Sequence, residues 1–220
     1  MKRLIVFVSF IFLYPFLSWS QSVIEIRYGL NRAIWRLDDR IFEDFTYTLD
    51  RRIASIGINI PIHKMFSLHP ELGYVQKGNK LILRDTSGTY TYTEKLNFIE
   101  LPVLLKFNFK YERFTFYISA GPNIAFALNG KSDYLEQTST SSFSQEDKID
   151  FSAKEFKKSD FGIILGTGAS VPIWKLRLGV DIRYSYALTE VLDENSIYPF
   201  KAFSKGIQLC GLIGIPLSWD

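Results

Sequence analysis

Lys175-Leu-Arg-Leu-Gly-Val-Asp-Ile-Arg-Tyr-Ser-Tyr186 alternates strictly. Leu176, Leu178, Val180, Ile182, Tyr184 and Tyr186 share one face; Arg177, Gly179, Asp181, Arg183 and Ser185 share the other. Period two is the signature of a β-strand with one apolar and one polar side. Charges on the alternate face exclude the doubly buried strand of an α/β protein. That face must meet water, either outside the protein or inside a barrel. The last run, Gly206 to Trp219, repeats the pattern, with Ile207, Leu209, Gly211, Ile213, Ile215 and Leu217 opposite Gln208, Cys210 and Gly214.

Six further runs precede these two, over roughly 22–35, 49–60, 66–76, 96–109, 114–128 and 159–171. Short turns follow the second, fourth and sixth: Pro61 to Lys64, Lys110 to Arg113 and Pro172 to Trp174. The other connections are long: 36–48, 77–95, 129–157 and 189–202. All four long ones therefore lie at one end of the sheet, and both termini at the other. Outer-membrane barrels are arranged this way, with short periplasmic turns and longer extracellular loops. Runs of roughly 11–14 residues exceed the about 9–11 that a tilted strand needs to cross a bilayer. The expected fold is all-β, an eight-stranded antiparallel up-and-down transmembrane β-barrel. Tyr90 and Tyr92, in Thr89-Tyr-Thr-Tyr-Thr93, are expected to extend a hairpin above the membrane, and the Ser/Thr-rich tip Thr138 to Ser144 reads as a solvated loop.

The chain begins Met1-Lys-Arg, runs apolar from Leu4 to Leu17 and reaches Ser18-Trp-Ser20. A basic start, a short apolar stretch and small residues make a secretory signal peptide over 1–20, leaving 21–220 as the barrel domain. About 14 apolar residues broken by Pro15 are short of the roughly 20 a spanning helix needs. Losing Lys2 and Arg3 takes the formal charge from +3 to +1, which is no footprint for nucleic acid. Cys210 is the sole cysteine, so the domain holds together without an internal disulfide. Aromatics make up 16% of the chain, which suits interfacial girdles.

The polar faces bring Glu25, Arg27, Glu71, Glu100, Lys106, Arg177, Asp181 and Arg183 to one side of the sheet. An eight-stranded barrel has just enough lumen for side chains to fill. These residues, carrying both signs, are expected to pair across it as a structural plug rather than an ion path. Alternation alone leaves the reverse arrangement open: a soluble periplasmic or secreted barrel of lipocalin type, apolar inside, binding an apolar ligand. A third reading is an outer-membrane enzyme acting on lipid. A serine-dependent site would need a His base near the outer leaflet. His63 falls in a short turn and His69 near the start of a strand, both toward the opposite end. They read as a turn residue and a lumen hydrogen-bonder, too few for a metal site. Gly162, Gly166 and Gly168 sit on one face of one strand with no strand-to-helix turn around them. They read as a lumen column making room for large neighbours, not a nucleotide loop.

Leu96-Asn-Phe-Ile-Glu-Leu-Pro-Val-Leu-Leu-Lys-Phe107 resembles the YLEIPLLLKY strand of the outer-membrane β-barrel family common in Bacteroidetes, often called PorT-like. Ala120-Gly-Pro-Asn-Ile-Ala125 and Asp160-Phe-Gly-Ile-Ile-Leu-Gly-Thr-Gly168 are similar to that family's next two strands. The specificity lies in Glu100-Leu-Pro102 and the glycine positions, and the C-terminus departs from the family's aromatic ending because Asp220 follows Trp219. The resemblance implies an eight-stranded barrel of OmpA/OmpX type in the outer membrane and little about activity. The expectation is a non-enzymatic monomer without cofactor or metal, in contact with outer-membrane lipid. Its function would be structural, adhesive or partner-binding, with a protein partner held by the long loops or the periplasmic turns.

Overall fold

The computed structural model describes residues 22–151, 156–193, 196 and 200–217. The expected leader and Trp219 lie outside these residues. Ten strands and one four-residue helix make the fold. They are β1 (Val23–Leu37), α1 (Arg40–Glu43), β2 (Thr46–Tyr47), β3 (Leu49–Pro61), β4 (Phe66–Arg84), β5 (Gly88–Tyr111), β6 (Phe114–Thr138), β7 (Ser142–Lys148), β8 (Ser159–Ile173), β9 (Leu176–Ala187) and β10 (Ala202–Pro216).

Eight of the strands close a ring. Its order is β1-β10-β9-β8-β6-β5-β4-β3, with β3 returning to β1. Every pairing is antiparallel, and first and last strands meet with Val23 opposite Pro216. The short β2 and β7 decorate the edges of β4 and β6 at the long-loop end. Two tight turns at the other end open on a left-handed residue, Glu112 at φ 52° and Trp174 at φ 54°. Such a backbone matches the right-handed twist of the strands it joins.

Burial settles which face is inside. Arg27 is 1% exposed and Asp181 0%, while their neighbours Tyr28 and Ile182 are 60% and 48% exposed. The reverse arrangement, with an apolar lumen, is thereby overturned. The outward face is a continuous apolar band. From Leu176 to Tyr186, at about 3.3 Å per residue and a tilt of about 40°, it is about 25 Å tall, the height of a bilayer core. Aromatics mark its lower rim, where Phe109 stacks on Phe116 at 5.4 Å and Trp174 stands exposed at its turn.

One expected hairpin extension is present, and one expected loop is strand instead. The 77–95 connection is β4 and β5 running on to a turn at 85–87. Most of 129–148 is the upper half of β6 hairpinned to β7. Polar composition concealed the second, because above a membrane neither face of a strand has to be apolar. A bulge near Asn97 and Phe98 inserts one residue of β6, so inward residues are odd up to Ala125 and even from Gly130.

Candidate functional site

The lumen is filled in layers. The lowest holds three carboxylates and three cations from four strands. Arg27 donates to Glu71 Oε2 at 3.1 Å and to Asp181 Oδ1 at 2.5 Å. Arg183 donates to Glu71 Oε1 at 2.6 Å and stands 2.8 Å from Asp181. Lys106 donates to Glu25 at 2.5 Å. Ser55 and the Tyr117 hydroxyl complete the shell, donating to Glu71 at 3.1 Å and Asp181 at 2.6 Å. His69, fully buried, lies 2.7 Å from Glu71 Oε1. Balanced charge and a dense set of charge-assisted hydrogen bonds are what let such groups stay out of water, although Arg27 Nε and Arg183 Nη1 have no hydrogen-bond partner.

The sequence-derived set divides. Glu25, Arg27, Glu71, Lys106, Asp181 and Arg183 meet in this layer. Glu100 belongs to a second cluster higher up, where Lys77 stands 2.8 Å from both Glu100 and Asp160. Asn123 donates to Glu100 at 3.1 Å and Thr189 to Asp160 at 3.2 Å. Arg177 is half-buried near the short-turn end and forms no ion pair with another described residue. Lys77 escaped the sequence reading because it lies just past the end assigned to its strand; Asp160 lies within its assigned strand, on the same face as Gly162, Gly166 and Gly168, but was not counted among the inward charges. Carrying the alternation on from Gly73 would have put Lys77 inside.

Gly166 and Gly168 make the room that the lowest layer uses. A Cβ on Gly168 would lie 2.4 Å from the Tyr117 ring, and one on Gly166 2.8 Å from Arg183 Cγ. Gly162 differs, since its Cβ would strike the backbone oxygen of Tyr186.

An apolar cap closes the loop end. Trp35, Leu37, Phe98, Phe156, Val191 and Leu192 pack there, and Phe42 and Phe200 pack against them with their own rings tilted 5.1 Å apart. Beneath it, beside Lys77 and Asp160, a cavity of about 10 Å³ remains, room for one water. The cap was not legible in the sequence, because half of it comes from connections that look merely polar and irregular.

Above the membrane, β4 to β7 form a projecting sheet. Tyr92 and Tyr134 sit opposite one another with rings 5.0 Å apart, and Phe143 follows at 6.4 Å. Partial desolvation, and then Glu136 beside it, push the Tyr134 phenol up to about 12. Lys131 donates to Glu146 at 2.5 Å across β6 and β7. Strand β7 is exposed along its whole length and pairs on one side only among the described residues.

A ring of eight antiparallel strands, apolar outside and charged within, is the outer-membrane design. The family model described as "Outer membrane protein beta-barrel domain" matches residues 19–193. The chain belongs to this family of outer membrane protein β-barrel domains. Comparison with curated proteins finds no match. Among solved structures, Neisserial surface protein A is 12% identical over 89% of this chain and 97% of its own, with TM-score 0.45. Ail, the attachment invasion locus protein of Yersinia pestis, is 11% identical over 87% and 99%, with TM-score 0.41. OprG from Pseudomonas aeruginosa is 10% identical over 89% and 96%, with TM-score 0.44. Membership in the outer-membrane barrel family assigns the apolar band to lipid.

Proposed function

We propose that this outer-membrane barrel is a non-enzymatic, monomeric anchor whose surface sheet binds a protein partner. The observation that carries the proposal is the projecting sheet itself. It presents an aromatic row, Tyr92, Tyr134 and Phe143, beside the unpaired edge of β7. Aromatic anchors bring large contact area at low entropic cost. An open strand edge offers a partner backbone donors and acceptors. The non-enzymatic part rests on chemistry: His69 is locked among carboxylates in the lumen and His63 sits in a turn at the opposite end from the surface loops. Export through a cleaved leader over 1–20, and a place in the PorT-like subgroup typical of Bacteroidetes, belong to the same proposal. They are supported by the leader-like start and by the Glu100-Leu-Pro102 segment.

Photo-crosslinking in intact cells tests this. A photoreactive residue at Phe143 should give one discrete adduct band, and Tyr134→Ser should remove it. The same probe at Trp174, on the short-turn side, should give none of that band. Absence of any adduct at Phe143 with a folded barrel in the outer membrane would overturn the proposal.

A further inference from the structure

On the outer wall, where the apolar band ends below the loops, β1 and β10 carry three cations around Ile34. Arg36 pairs in register with Phe203, Ile34 with Lys205, and Arg32 with Ile207. Positions alternate across the sheet, so Arg32, Arg36 and Lys205 all point outward with Ile207, Leu209 and Leu30 directly beneath them. The Arg36 guanidinium lies over two rings, 4.6 Å from the Phe203 centroid and 5.4 Å from that of Tyr186. Its Nε is buried without a hydrogen-bond partner.

The carboxylates nearby are already engaged. Asp50 takes Arg32 in a two-pronged contact at 2.7 and 3.1 Å. Glu190 stands 3.0 Å from Lys201 and 3.9 Å from Lys157. Asp38 accepts from the Lys201 backbone N–H at 2.8 Å. Neither Arg36 nor Lys205 has an ion pair with any described residue. The patch therefore holds uncompensated positive charge at the membrane boundary.

We infer that this patch binds the phosphate of an anionic lipid in the leaflet that faces the long loops. Three features fit it together. Arg36 is pre-oriented by aromatic stacking, so little side-chain freedom is lost on contact, and a guanidinium suits two phosphate oxygens at once. Lys205 supplies a second, point-like charge at the next position. The apolar wall below, Ile207 and Leu209 beside Leu30, receives the acyl chains. The inference rests on the membrane reading of the outer wall and is independent of the proposed protein partner.

The test is native mass spectrometry of the purified full-length protein in a neutral detergent. The probes are diphosphorylated lipid A, its dephosphorylated counterpart and inorganic phosphate. Wild type should retain the diphosphorylated lipid through detergent exchange, and R36Q/K205Q should retain at least tenfold less. The dephosphorylated lipid should not be retained. K110Q/R113Q, which removes two cations at the opposite end, should behave as wild type. Equal retention by R36Q/K205Q would overturn the inference, as would equal loss in K110Q/R113Q. Binding of inorganic phosphate as strong as that of the lipid would overturn the lipid as its source. A shift in gel mobility on boiling, run on every variant, separates loss of the site from loss of the barrel.

Discussion

Arg183 and Glu71 clasp hands across the full width of the barrel. Their strands, β9 and β4, are four places apart whichever way the ring is followed, and the guanidinium meets the carboxylate at 2.6 Å. Both side chains are 0–1% exposed. Opposite walls of the cylinder are thus tied through its centre. Arg27 and Asp181 add a second tie between β1 and β9 at 2.5 Å.

Breaking that clasp on one side should be costly. Arg183→Met leaves Glu71 with a buried charge held by Arg27, Ser55 and His69 alone, and is expected to cost about 3–5 kcal/mol. E71Q/R183M removes both charges and should recover a large part of it. Urea unfolding in lipid vesicles, followed by Trp fluorescence, gives both values. Equal loss in the single and double variants would show that the two groups are not coupled.

The outward assignment has its own test. Ile182 faces lipid midway along β9, and Ile182→Arg should cost about 2–4 kcal/mol of folding stability in a bilayer. The check is the fraction folded in vesicles against urea. A change near zero would mean that this face does not meet hydrocarbon.

Two glycines should behave oppositely. A Cβ on Gly168 meets the Tyr117 ring at 2.4 Å and would push its hydroxyl off Asp181, so Gly168→Ala is expected to destabilise by about 1–3 kcal/mol. At Gly211, on the lipid face, the nearest atom to a Cβ is 3.9 Å away. Gly211→Ala should change stability by less than about 0.5 kcal/mol. The same unfolding measurement compares them.

Ion flow should be blocked at more than one level. Planar-bilayer recordings of the wild type should show no stepwise conductance. F156A/L192A, which thins the apolar cap, should leave the trace flat, because the paired charges still fill the section below. Discrete openings in that double variant would mean that the cap alone is the seal.

The alternation from Leu176 to Tyr186, the one-sided long connections and the mixed signs on the polar face were enough to read the strand count, the antiparallel order and the membrane type of barrel. These are local or nearest-neighbour properties: a side chain's face follows from its parity, and a hairpin from the length of its turn. The ends of the strands were less legible. Above the lipid no solvent contrast separates the two faces of a strand, so β6 carried on unseen through polar sequence to Thr138, and only the Thr89 to Thr93 run signalled that the β4–β5 hairpin reaches Arg84 and Gly88.

Which charges meet was decided only by closure. Glu25, Arg27, Glu71, Lys106, Asp181 and Arg183 were all visible as inward residues, yet nothing in their spacing sets Arg183 against Glu71 rather than against Glu100. Partnership across a lumen depends on the height of each residue in a tilted, staggered ring, and that stagger is a property of the whole cylinder. The same closure brought Lys77 to Asp160 and folded Phe156 and Leu192, remote from Trp35 in sequence, into a lid above it. The amino-acid sequence by itself determined a membrane barrel with a charged interior; tertiary structure decided the pairing, because only the closed ring gives each side chain its level and its opposite wall.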